Sequence, residues 1–280
     1  RHMRRYIYFV FLLCCAVNLL LTSCVRQKYV VMDMVHHNPG EAMTESKFLD
    51  PSFLKKNEYG AKVFFLFEAA QFGIDWKSFD PSLFPDTTEA GRWVAEKAEI
   101  IHKKYDAAKK EDLQVYCMLD MLVLPSLLVE KHRTELTNEQ GKLDISKPYT
   151  QLCIRELMKE MFETFPQLDG LVIRTGETYL HDAPYYVGNH PVQNGMYDHI
   201  TLINLLREEV CERRNKKLFY RTWDMGQLHS IPKYYLSVTD SIEPHPNLYF
   251  SIKHTMTVFW RSKITDPDMN YNIMDKYWLE

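Results

Sequence analysis

In residues 169–191, DGLVIRTGETYLHDAPYYVGNHP, the short β-branched run Leu171-Val172-Ile173 is followed closely by Arg174, Glu177, Tyr179, His181, Asp182, Tyr185 and Tyr186. A carboxyl group such as Glu177, set just past a strand and near aromatic walls, is partly desolvated, and desolvation favours its protonated form. That is the state a general acid needs near neutral pH. Gly176 lets the backbone turn so that the carboxylate faces a pocket, and Arg174 and His181 can orient it or hold an anionic substrate. The competing reading is a solvated loop glutamate; the position directly after a strand favours the functional one.

The ends of the other strand-like runs carry matching groups. Asp33, His36, His37 and Asn38 follow the first, Glu68 and Gln71 the second with Trp76 nearby, and Asp120 the third. Arg221, Trp223 and Asp224 follow the fifth, Lys253 and His254 the sixth. Flat aromatic faces stack on sugar rings, while polar and charged groups bind hydroxyls and carboxylates. The set suits a carbohydrate. Glu177 and Asp224 are the catalytic candidates; His36, Glu68, Arg174, Tyr179, His181, Trp223, Lys253 and His254 are the substrate-binding candidates. For any one of the groups at these other strand ends a plain packing or solvated role is at least as good a reading, and Trp93, on a helix stripe, belongs to the core. His36 and His37 are adjacent, so strand alternation aims their rings to opposite sides, unlike a metal pair. There is no G-x-S-x-G elbow, no G-x-G-x-x-G and no P-loop, so neither metal nor cofactor is expected.

These groups need strands to deliver them. Strand-like runs fall at residues 29–34, 61–67, 113–119, 170–173, 217–220 and 248–252, and helix-like segments at 51–57, 89–109, 149–165 and 198–214. In residues 89–109, Trp93, Val94, Ala98, Ile101 and Tyr105 have the spacing of one buried helical stripe. Strands separated by helices imply parallel pairing. The segments after strands are long and aromatic; those after helices, such as Lys109-Lys110-Glu111-Asp112 and Arg213-Arg214-Asn215, are short and charged. That asymmetry predicts an α/β fold of the (β/α)8 TIM-barrel type with its working face at the strand C-termini. Six strand-helix units are countable, and the residues after Ile252 are too few for two more. The expectation is therefore a barrel incomplete at its carboxyl end, with open strand edges that favour self-association.

Composition agrees with a globular chain: 280 residues, 46% hydrophobic and 25% charged. The formal net charge of -3, from 34 Lys and Arg against 37 Asp and Glu, gives no basic excess for nucleic acid and no acidic tail. At the amino end, Arg4 and Arg5 precede an apolar run over residues 6–21 and then Leu21-Thr22-Ser23-Cys24. This tetrapeptide resembles the bacterial lipobox, whose cysteine is acylated and becomes the mature first residue. The reading is a signal peptide over 1–23, a lipid anchor on Cys24, a tether over 24–28 and one domain over 29–280, held in the bacterial cell envelope. A membrane-spanning helix is the alternative for the apolar run. Cys14 and Cys15 leave with the signal, and Cys117, Cys153 and Cys211 are too scattered for a disulfide framework or zinc ribbon. They read as small buried apolar residues.

Across residues 143–261 the chain resembles the (β/α)-barrel alpha-glucuronidases of glycoside hydrolase family 67, which release glucuronic acid side groups from xylan. The segments that carry the resemblance are LDISKP, FPQLDGLVIRTGE, KLFYRTW and NLYFSIKHTMTVFWR, in that order. The family's general acid lies in an Asn-Ser-Glu-Gly loop after the fourth strand, and the resemblance puts Glu177, in Thr175-Gly176-Glu177-Thr178, at its place. After the sixth strand the family shows Lys-Asn-Gly-Pro, one more residue and an aspartate that helps activate water. Here that position is Val258, and valine cannot accept a proton. Asp224 or Glu68 could substitute geometrically. The resemblance implies a lipid-anchored glycoside hydrolase-like barrel acting on, or descended from enzymes acting on, uronic-acid-bearing polysaccharide. A noncatalytic glycan-binding lipoprotein and an inactive barrel fragment are the alternatives.

Overall fold

The computed structural model describes residues 31–33, 46–64, 68–176, 178, 180, 182–221, 228, 231–252 and 278–279. The chain divides into two compact units, Arg1–Val31 and Met32–Glu280. In chain order the second unit contains β1 Met32–Asp33, α1 Pro51–Lys56, β2 Ala61–Phe64, α2 Glu89–Lys110, β3 Gln114–Asp120, β4 Val123–Pro125, α3 Ser126–Lys131 and α4 Arg133–Leu136. It continues with α5 Pro148–Thr164, β5 Gly170–Arg174, β6 Tyr186–Gly188, α6 Met196–Leu206, β7 Lys217–Arg221, α7 Pro232–Thr239, β8 Leu248–Ile252 and β9 Trp278–Leu279.

Seven of these strands form one parallel sheet in the order β1-β2-β3-β5-β7-β8-β9. The order never reverses, as it would in a doubly wound sheet, and helices lie in the crossovers from β1 to β8. This is the winding of a (β/α)8 TIM barrel, and among the described residues β1 and β9 stand as its two end strands. The expected six strands become seven: β9 lies beside β8, with Ser251 opposite Trp278 and Ile252 opposite Leu279. Two residues carry no alternation of their own, so only the pairing makes β9 visible. The sequence expectation also lacked α3, α4, α7 and the antiparallel ladder of β4 with β6.

Local chemistry explains the crossovers. Thr88 caps α2, its Oγ1 accepting from Gly91 N at 3.0 Å, with Glu89 in the first turn and Lys109 and Lys110 in the last, each suited to the helix dipole. Val94, Ile101, Tyr105 and Ala108 form its buried stripe; Trp93 is partly buried and packs on Phe72, Tyr185 and Tyr186. Asp112 (φ 55°) and Asn215 (φ 52°) turn the chain sharply from helix into β3 and β7, a left-handed conformation that Asp and Asn tolerate better than most residues. The strand N-terminal end is stitched there as well: Asp169 accepts from Val115 N at 2.7 Å and pairs with Lys109. Among the described residues the longest connections, such as residues 68–88 and 175–195, follow strand C-termini.

Candidate functional site

Cys117 identifies the two faces of the sheet. Its thiol accepts from Ala70 N at 3.1 Å, beneath Tyr105 of α2, so odd-numbered positions of β3 face the helices. Strand alternation then sends Tyr116, Met118 and Asp120 to the opposite, inner face. The register carries that face across the sheet: Asp120 stands opposite Arg174, Arg174 opposite Arg221, and Arg221 opposite Ser251. These four residues, at or next to the C-terminal ends of β3, β5, β7 and β8, form one continuous row. Beneath it Tyr116 meets Phe219 edge-on at 5.4 Å, and Phe219 stacks on Tyr249 at 4.8 Å. On the described part of this face, charge sits at the two ends, in this row and at Lys217 where β7 begins, with apolar and aromatic side chains between.

Asp120 and Arg174 are joined in a fork. Arg174 Nε donates to Oδ1, and Nη2 donates to Oδ2 at 2.7 Å. Their side chains are only 10% and 16% exposed, so the pair is held in a weakly solvated setting. With Arg221 beside it, the row has one carboxylate and two guanidinium groups, a formal charge of +1. Such a row can receive an anionic group through guanidinium N–H donors.

The loops above the row are tied to one another. β6, in the loop after β5, pairs with β4, in the loop after β3. Asn189 strengthens the join: its Oδ1 accepts from Leu143 N at 2.7 Å and its Nδ2 donates to Leu143 O at 3.0 Å. Behind the row, on the helix side, Tyr220 of β7 lies 2.8 Å through its hydroxyl from His199 Nδ1 of α6. His199 is fully buried, and burial first, then the neighbouring His190, pulls its pKa down to about 3. It is a neutral imidazole.

The sequence candidates separate on this frame. Arg174 stands in the row. Glu68 instead pairs with Lys104 of α2, and its carbonyl accepts from Tyr105 OH at 2.9 Å, which commits it to the helix side and away from the row. Trp76, expected as a sugar platform, is fully buried with φ 57° and packs edge-on against Phe79; Gln71 is buried too. Tyr186 belongs to an aromatic core with Phe72, Phe84 and Trp93. Cys24, His36, Glu177, Tyr179, His181, Trp223, Asp224, Lys253, His254 and Val258 lie outside the described residues. Sequence reasoning passed over Ser251, which only strand register brings into the row, and the pair Tyr220–His199, which no motif marks. Cys117, Cys153 and Cys211 are free, buried thiols, each pushed up to about 12 by burial.

No protein-family model matches the sequence, and no curated protein does. Among solved structures the chain is similar to the GH20 catalytic modules of a pneumococcal exo-β-D-N-acetylglucosaminidase, at 10% identity and a TM-score of 0.47 over 89% of this chain and 64% of that one. It is similar to a GH138 enzyme targeting pectin rhamnogalacturonan II, at 14% identity and a TM-score of 0.44 over 81% of this chain and 25% of that one. A glycoside hydrolase family 5 enzyme from Prevotella bryantii B14 aligns at 9% identity and a TM-score of 0.43, over 81% and 63% of the two chains. The chain therefore spans less than two thirds of the length of each. At such identities and scores the likeness to glycoside hydrolases is one of strand and helix order, and it does not extend to which residues act.

Proposed function

We propose that this chain is a glycoside hydrolase-like barrel that binds uronic-acid-bearing oligosaccharide at the C-terminal ends of its strands. The observation that carries the reading is the row Asp120, Arg174 and Arg221, in register on adjacent strands, at the end where barrels of this winding keep their chemistry. Guanidinium groups recognise carboxylates through paired N–H donors, and Asp120 fixes the plane of one of them. In this reading Glu177, three residues beyond Arg174, is the general acid, and His36, Tyr179, His181, Trp223, Lys253 and His254 complete the sugar contacts. Asp224 is the remaining candidate base, since Glu68 is engaged by Lys104. The lipobox-like Leu21-Thr22-Ser23-Cys24 supports an anchor on Cys24 and a place in the bacterial cell envelope. The end strands of the sheet offer a route to self-association.

Val258, where the family 67 resemblance places a water-activating aspartate, supports binding with impaired hydrolysis. Loss of one member of an acid/base pair lowers rate by about a hundredfold or more while contacts elsewhere survive. The test is a product assay on glucuronic-acid-bearing xylo-oligosaccharides with wild type and Glu177→Gln. Slow or absent product formation beside measurable binding is the expected result. Rapid turnover abolished in Glu177→Gln overturns the impaired-catalysis part and makes Asp224 the base; absence of any glycan binding overturns the whole reading.

A further inference from the structure

The loop between β5 and α6 begins at Thr175 and ends at Gly195, and both of its ends reach one buried cluster. Tyr220 is the register partner of Ile173, and Thr175, two residues further on, shares its helix-side face by alternation. Thr175 is fully buried beside the Tyr220 hydroxyl, though outside hydrogen-bond geometry. At the other end, Asp198 accepts from Gln193 N and Asn194 N, each at 2.6 Å, and the next residue is His199. Asp198 and His199 are 1% and 0% exposed.

A buried imidazole is expensive to desolvate, and a leucine at this position of α6 would pack without that penalty. Among the described residues the one hydrogen-bond partner of the His199 ring is Tyr220, because Nε2 has none. The Tyr234 ring of α7 meets the imidazole edge-on at 6.2 Å, and its hydroxyl is likewise unpartnered among the described residues. What histidine supplies here beyond bulk is therefore the bond to Tyr220. That bond joins the start of α6 to the strand standing directly beside β5, which is the geometry of a clamp across the base of the loop.

We infer that His199 and Tyr220 are positioning residues that hold the two ends of the 175–195 loop together behind the row. The loop carries Glu177, Tyr179 and His181 in its sequence, so the effect of the clamp on sugar binding rests on the function proposed above; the clamp itself does not. It explains why a polar pair is buried in the outer, helix-facing layer at that one height on the strands.

Amide hydrogen exchange over the whole chain tests it, with Tyr220→Phe, which removes one hydroxyl, His199→Leu, and His199→Asn, whose side-chain amide keeps a polar atom near the place of Nδ1. Loss of one buried hydrogen bond should speed exchange within residues 175–195 about tenfold in Tyr220→Phe and His199→Leu, with β3 and α2 unchanged and His199→Asn close to wild type. Affinity for a glucuronic-acid-bearing xylo-oligosaccharide should fall by about the same factor in the first two variants and hold in the third. Unchanged exchange in residues 175–195, or equal acceleration throughout the chain, overturns the clamp. If wild type binds no glycan, the proposed function fails, and the exchange pattern still decides the clamp.

Discussion

Asp120 and Arg174 end adjacent parallel strands in register, and a two-pronged contact between them closes the outer course of the sheet's inner face. The pair sits where water is scarce, with side chains 10% and 16% exposed. Removing one partner leaves the other's charge poorly solvated, so Asp120→Ala should lower stability by about 3 kcal/mol. Urea unfolding reads this directly. A loss below about 0.5 kcal/mol would show that the pair behaves as an ordinary surface ion pair.

Arg174→Lys separates charge from shape. Lysine keeps the positive charge but cannot offer two parallel N–H donors to one carboxylate. Affinity for an acidic oligosaccharide should drop about tenfold, with a smaller stability loss than Asp120→Ala. Equal affinity in the two proteins would mean that only net charge matters at this row.

Glu209 supports the scaffold far from the row. Only 6% exposed, it receives Arg155 Nη1 at 2.6 Å, Arg214 Nη1 at 2.9 Å and Arg213 Nε at 3.1 Å, joining α5 to the π-helical turn Arg207–Glu212 that continues α6. Glu209→Gln keeps the shape and leaves three guanidinium groups around a neutral amide. Because Arg155 and Arg213 are substantially exposed, solvent screening reduces the penalty, and about 2 kcal/mol is expected. The difference from wild type should shrink in high salt.

His199 makes stability depend on pH. Its folded-state pKa lies at about 3, against an ordinary 6.5, so below pH 6.5 the unfolded chain takes up a proton that the folded chain refuses. Stability from this group is complete above pH 6.5 and falls as pH drops toward 3, at most about 1.4 kcal/mol per pH unit. Between about pH 7.5 and 5.5, wild type should lose roughly 1 kcal/mol more than His199→Asn in urea titrations. Parallel losses in both proteins would assign the acid sensitivity elsewhere.

Gly170 permits the close approach of β5 to β7. A Cβ built there falls 2.1 Å from Lys217 O and 2.8 Å from its carbonyl carbon, and a strand backbone cannot move aside as a side chain can. Gly170→Ala should destabilise by about 3 kcal/mol, measured as a lowered urea midpoint. A loss under about 1 kcal/mol would show that the strands spread at little cost.

Much of the fold was legible because its signals are local. The stripe of α2, the apolar run of β3, the β-branched Val172-Ile173 of β5, and the contrast between long strand-end loops and short helix-end turns lie within single segments. The failures share one cause, which is that long-range partners decide them. Glu68 reads as a strand-end carboxylate, but Lys104, thirty-six residues later, claims it. Trp76 reads as an aromatic face near a strand end, but it is fully buried at a positive φ and packs edge-on against Phe79. β9 and the β4–β6 ladder exist through pairing, not pattern. In the row, Arg174 stands out in the sequence by its place after Ile173, whereas Ser251 joins it only through register with Arg221.

Calorimetric titration with two otherwise identical xylo-oligosaccharides tests the central claim most directly, one bearing glucuronic acid and one bearing its carboxyl-reduced counterpart. The account predicts saturable binding of the acid form, binding of the neutral form weaker by about tenfold or more, and loss of that preference in Arg221→Gln. Equal binding of the two sugars, or a preference that persists in Arg221→Gln, would contradict it.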